Sequence, residues 1–167
     1  MEMKTIRKWW WVWEFEKEER WLNQMAQEGW VLSGVSFPKY HFVRCEPGEY
    51  TVRLEMHGKD ADYLAFMEEL GAEYVGSCFQ WLYFRRKAAD GAFDIFSDID
   101  SRIAHLEKIG KLLKVVGFAN LAIGLANSFG AAHMGWLNLL CATLLMYALG
   151  RIHGKKESLE KDRLLME

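Results

Sequence analysis

The sequence predicts an α+β protein in which two helices cover one face of an antiparallel sheet of ferredoxin-like character, followed by a two-helix transmembrane hairpin. Three observations carry this expectation. From Tyr50 to Met56 the apolar Tyr50, Val52, Leu54 and Met56 alternate with polar residues, the period of a half-buried strand. In Glu14–Glu28 and Ala61–Leu70 the apolar residues recur at helical spacing, and each run meets a glycine where a left-handed cap is wanted. Between Leu112 and Gly150 only Lys114 carries a full charge, whereas residues 1–111 hold most of the charge. The mean hydropathy of -0.13 averages two unlike regions and describes neither.

Taken in order, Lys8–Trp13 is aromatic and β-branched and reads as the first strand. Phe15, Leu22, Met25 and Ala26 then mark one face of a helix that ends at Gly29. Trp30–Phe37 and Tyr40–Cys45 read as strands around Pro38-Lys39, and Pro47-Gly48 predicts a type II turn before Tyr50. Asp60 is placed to cap the second helix, which buries Leu64, Met67 and Leu70 and stops at Gly71. Glu73–Ser77 and Gln80–Arg86 read as two short strands. The two halves share an order of strand, helix ending in glycine, then strands, which hints at duplication.

Residues 90–97 form a connector whose Phe93, Ile95 and Phe96 are too apolar for a free tether; Phe93 and Phe96 are expected to dock on the soluble domain. Ser97 with Asp100 resembles a capping box, so a helix should run from Asp98 into the apolar segment without a break. The domains expected are therefore 1–89 soluble, 90–97 connector, 98–154 helical hairpin and 155–167 a charged tail.

The spans expected are Leu112–Phe129 and Met134–Gly150, each about 26 Å long at about 1.5 Å per residue, against a hydrocarbon core of about 30 Å. Gly130–His133 makes a tight uncharged turn beside Trp136, an interface anchor. Lys108, Lys111 and Lys114 precede the first span and Arg151, Lys155 and Lys156 follow the second, which places both termini in the cytoplasm. Gly117, Asn120, Gly124, Asn127 or Ser128, and Ala131 share one face of the first span; they pack against Asn138, Cys141 and Ala142 of the second or against another copy. Neither span contains an acid, the usual mark of an ion pathway.

Several function classes fall away. A net charge of -2 offers no basic surface for nucleic acid. Cys45, Cys78 and Cys141 are scattered and odd in number, which argues against disulfides and zinc. The opening apolar run is too short, and too soon cut by acids, for a signal peptide. No metalloprotease, nucleophile-elbow or phosphate-loop motif occurs. His57 near Glu55 and Asp60 makes either a general base or half a metal site, or else a solvated strand end beside a helix cap. Glu18-Glu19 and Glu68-Glu69 read as solvated helix faces. The aromatics are the better lead: Trp9, Trp11 and Trp13, Tyr40 and Phe42, and Trp81 and Tyr83 form same-face sets rimmed by Arg53, Arg85 and Arg86. Core packing, a dimer or partner interface and a pocket for a small apolar ligand all remain open for them.

The runs FEKEERWLNQMAQEGW, EPGEY and GSCFQWLYFRRKA, and above all the connector DGAFDIFSDIDSRIAHLEK, resemble the bacterial domain-of-unknown-function 2812 family over residues 4–114. The strongest matches are Trp21, Leu22, Gly29, Phe84, Phe93, Phe96, Ser97, Asp98 and Asp100. The resemblance implies a soluble domain followed by membrane helices, in proteins found mainly in Firmicutes and often encoded beside PadR-type regulators. It supplies no catalytic residues. The reading expected is a membrane-anchored, non-enzymatic binding or regulatory module without a cofactor, whose cytosolic domain senses or docks a protein partner or a second copy. An accessory subunit of a larger membrane complex is the alternative, and an enzyme with an unrecognised site the third.

Overall fold

The computed structural model describes residues 2–96, 98–128 and 135–166, the last without its side chain, and divides the chain into two compact units, Met1–Ile95 and Phe96–Glu167. The first unit is α+β. Its elements are β1 (Met3–Arg7), α1 (Phe15–Gln27), β2 (Trp30–Ser36), β3 (Lys39–Arg44), β4 (Tyr50–Met56), α2 (Ala61–Glu69), β5 (Glu73–Cys78) and β6 (Trp81–Lys87). All pairings are antiparallel, but the strands form two three-stranded sheets, in orders β1-β3-β2 and β4-β6-β5, where one sheet was expected.

The expected first strand is displaced. Pairing of β1 with β3 runs from Met3↔Val43 to Arg7↔Lys39 and ends with the Lys8 N–H donating to the carbonyl of Pro38. Beyond that point the partner strand turns away, and Pro38 has no N–H to offer. The tryptophan run therefore lies in a loop that closes in a single 3-10 turn, Val12–Glu14, before α1.

The two halves are one βαββ motif written twice at a fixed offset of 42 residues (22 to 64, 42 to 84). Leu22/Leu64, Met25/Met67, Gly29/Gly71, Gly34/Gly76, Phe37/Phe79, Phe42/Phe84 and Arg44/Arg86 are identical pairs. Gly29 and Gly71 cap their helices at φ 82° and 77°, a region closed to most side chains. Each inner pairing has its register shift at the same place, Leu32/Gly34 in one repeat and Tyr74/Gly76 in the other. Trp21 stands edge-on to Phe42, and Tyr63, at the matching position, stands edge-on to Phe84.

One core lies under α1, where Leu22 and Met25 meet Leu32, Tyr40, Phe42, Val52, Leu54 and Tyr83 from both sheets. The other lies under α2, where Met67 meets Ala72, Leu82 and Phe84, and Phe93 of the connector completes it. Phe93 is only 6% exposed and packs into this core. Arg86 holds the connector in place: its guanidinium lies over the Phe93 ring and donates to the Asp90 carbonyl, next to Gly91 at φ 96°. Phe96 does not follow Phe93. It falls in the second unit, its ring 4.8 Å from that of His105.

The second unit is α3 (Ile99–Ser128) packed antiparallel on α4 (Gly135–Met166). Ser97, expected as the cap of α3, lies outside the described residues, as does the turn Gly130–His133 with Ala131. Within them, Asp98 caps: its Oδ1 accepts from the Ser101 N–H at 2.7 Å while its own N–H donates to the Ser101 hydroxyl. The α3 seam follows a strict seven-residue repeat, Ile103, Leu106, Gly110, Leu113, Gly117, Asn120 and Gly124, and α4 answers with Asn138, Ala142, Leu145, Leu149, Ile152 and Lys156. The glycines let the backbones approach: a Cβ at Gly124 would sit 2.8 Å from Leu139 Cδ2 and 3.1 Å from its backbone N. Both helices are long and apolar enough to cross a membrane. The segment expected as a charged tail is helical to Met166, with Lys156 paired to Glu107 at 2.6 Å and Arg163 to Asp100 at 2.8 Å. His105, buried before the apolar stretch begins, has its imidazole held down to about 4 by burial, with Lys108 adding to the effect.

Candidate functional site

The residues expected to share one aromatic face separate into two groups. Tyr40, Phe42 and Tyr83 are core, because strand alternation turns them toward α1. Trp9 and Trp11, which sit on no strand, are 56% and 44% exposed. Trp13 stacks on Trp11 with 5.0 Å between centroids, and Trp81, half-buried, stacks on Phe15. Arg53 and Arg85 do not rim an open surface. Arg53 pairs with Glu19 at 3.2 Å, while Arg85 bonds Glu73 at 2.8 Å and the Leu32 carbonyl at 3.1 Å, tying the two sheets together.

What replaces the expected face is a tip. Trp9 meets Trp11 at 5.7 Å and Phe37 at 4.9 Å, and Phe37 meets Phe79 at 5.3 Å, all edge-on. With Trp13 this makes five rings in unbroken contact. Phe37 and Phe79 are 49% and 83% exposed. They occupy equivalent positions in the two repeats, each in the turn that joins its repeat's last two strands. Phe79 is held at φ 53°, a conformation that costs a bulky residue energy. Phe37 and Phe79 were not singled out in the sequence; the signal was their equivalence at an offset of 42, readable once the two halves are aligned.

In the core under α1, polar groups converge on Glu18. The hydroxyls of Tyr40 and Tyr83 donate to Oε1 of Glu18 at 2.7 and 2.6 Å, and Glu18 is buried. Burial raises the Glu18 carboxyl above its ordinary range, with the two tyrosine bonds pulling it back down. Its neighbours on α1 are also engaged. Glu19 accepts from the Leu54 N–H at 3.1 Å, and Asn23 bonds both the N–H and the carbonyl of Val52, at 2.9 and 2.8 Å. These side chains take up backbone groups of β4, which pairs with β6 alone among the strands. Glu18 and Glu19 are thus not a solvated face. The reading failed because α1 packs against two sheets, whereas an amphipathic pattern assumes one.

The His57 cluster is structural in form. His57 stacks on Tyr63 at 3.9 Å and its Nδ1 lies 2.7 Å from the Gly58 carbonyl; Glu55 accepts from the Tyr63 hydroxyl, and Asp60 caps α2. Among the described residues no three His, Cys, Asp or Glu side chains gather as metal ligands. In the helical pair Gly117 and Gly124 are buried at the seam, and Asn138 Nδ2 donates to Asn120 Oδ1 at 3.2 Å. Asn127 and Cys141 face outward.

Together these features define a small α+β unit of two repeats joined through a docked connector to a pair of membrane-compatible helices. The chain belongs to the family described as protein of unknown function (DUF2812), whose model matches residues 14–118, from the start of α1 through the connector and into α3. No curated protein and no solved structure matches the chain.

Proposed function

We propose that this protein is a membrane-anchored, non-enzymatic docking module: α3 and α4 hold it in the bilayer with both termini cytoplasmic, and the aromatic tip is the surface that meets a protein partner. The observation that carries this reading is the tip itself. Five contacting aromatic rings, four of them well exposed, cost solubility unless something covers them, and tryptophan-rich apolar patches of this kind concentrate binding energy at protein interfaces. The acids that carried any catalytic expectation are engaged in bonds that hold the fold. Lysines and arginines lie before the first apolar stretch and after the second, with none between them, which supports the cytoplasmic placement.

The test uses the full chain in its native membranes with Phe79, 83% exposed, replaced by the photocrosslinker p-benzoylphenylalanine. The expected result is a discrete protein adduct that disappears when Trp9→Ser and Trp11→Ser are added, with near-ultraviolet circular dichroism otherwise retained. A protein that crosslinks nothing at this position, or crosslinks equally with both tryptophans removed, would overturn the reading.

A further inference from the structure

We propose that a groove between α3 and α4, at the charged edge of the apolar stretch, binds the phosphate-bearing headgroup of an anionic phospholipid. The groove holds about 290 Å³. Leu149 and Ile152 form its floor, and Gly110 leaves one wall without a side chain. A Cβ at Gly110 would meet only Leu149 Cδ1, at an ordinary 3.7 Å, so the glycine opens space here, whereas Gly124 closes a helix contact. Around this floor stand Lys111 and Lys114 from α3 and His153 and Lys156 from α4.

The charge balance favours an anion. The one acid lining the groove is Glu107, and its carboxylate is already committed to Lys156 Nζ at 2.6 Å. Lys111 and Lys114 also line the groove and make no ion pair within 4 Å among the described residues, although Lys114 is near enough to Glu107 to help hold its carboxyl down. Lysines at the end of a span usually reach into water separately. Here they converge on a cavity with an apolar floor.

Position selects a lipid over a solution anion. Beyond Lys114 no charged residue occurs on α3 as far as Ser128, and Val115 and Phe118 are 63% and 60% exposed. On α4 the uncharged stretch runs from Gly135 to Gly150. A ligand with its phosphate at Lys111 and Lys114 therefore has apolar surface on one side for acyl chains. Basic pockets of this kind between membrane helices on the cytoplasmic side suit anionic headgroups. Inorganic phosphate would gain nothing from Leu149, Ile152 or Val115.

The inference rests on the membrane-anchored reading, and the experiment separates the two. Full-length protein is assembled in nanodiscs of equal phosphatidylcholine and phosphatidylglycerol, released into mild detergent, and its retained lipids are counted by native mass spectrometry. The parent is expected to keep phosphatidylglycerol preferentially. Lys111→Gln with Lys114→Gln should lose about 25-fold of that preference, at about 1 kcal/mol or fivefold per lysine. Lys161→Gln, an exposed lysine outside the groove, should keep it. No preference in the parent, equal loss in the Lys161 variant, or release of the lipid by excess inorganic phosphate would each overturn the headgroup assignment. Failure to enter the nanodisc at all would instead overturn the membrane reading beneath it.

Discussion

The two βαββ repeats share a frame but not a method of closing it. In the first, α1 runs Phe15–Gln27 and supplies enough surface to cover its own sheet and to reach the second through Glu18, Glu19 and Asn23. In the second, α2 runs only Ala61–Glu69, leaves Phe66 and Leu70 half exposed, and buries Met67 alone. The missing cover comes from Phe93, after the repeat has ended. The same difference shows at single positions. Glu18 is a buried acceptor for two tyrosines, while its counterpart Asp60 is an exposed helix cap; Asn23 bonds a strand edge, while its counterpart is Ala65. The helix of one repeat thus covers its own sheet and stitches the unit together. The other depends on the segment that leads to α3, which gives the connector a structural role as well as a covalent one.

The largest effect expected is at that dependence. Phe93→Ala removes a buried ring from a small core and should destabilise the first unit by about 3–5 kcal/mol. Phe96→Ala, in the second unit, should leave that stability unchanged. Urea unfolding of the full chain in micelles, followed by near-ultraviolet circular dichroism, measures both; equal effects would end the distinction between the two rings.

Asn23→Ala is the next largest. It strands the N–H and carbonyl of Val52 in a half-buried position and should cost about 1–3 kcal/mol. The counterpart change Ala65→Asn, on the exposed side of α2, should be nearly silent in the same unfolding measurement. Comparable losses would mean that α1 has no special stitching role.

Glu18 gives a smaller effect with a distinctive sign. Burial raises its folded pKa above the unfolded value, so between the two values the native state binds more protons than the unfolded one. That contribution to stability is full below the unfolded pKa and is lost as pH rises through the folded one. Glu18→Gln, which keeps the acceptor and drops the charge, should equal or exceed the parent's melting temperature at neutral pH, and its advantage should close as the pH falls toward 4.5. An advantage that grows in acid would contradict the assignment.

Much of the frame was legible in the sequence because local chemistry fixes it. The period of two in β4, the Pro47-Gly48 turn with Gly48 at φ 77°, the Asp60 cap and the glycine stops at 29 and 71 all act within a few residues. So did the docking of Phe93, since an aromatic in a polar linker has little other use. What escaped was decided at long range. Strand propensity placed KWWWVW in the sheet, but the pairing partner ends at Pro38. The acids of α1 looked solvated because nothing local reveals a second sheet above them. Arg86 looked like a rim residue, and only the folded path of residues 90–93 makes it the clamp of the connector.

The central claim is that α3 and α4 cross a bilayer and return, so that both ends of the chain lie in the cytoplasm. Paired reporters fused at residue 1 and at residue 167, a fluorescent protein that matures inside and a phosphatase that is active only outside, test this in living bacteria. The result expected is fluorescence without phosphatase activity at both ends, with the protein retained in carbonate-washed membranes. Phosphatase activity at either end, or release of the protein by carbonate, would contradict it.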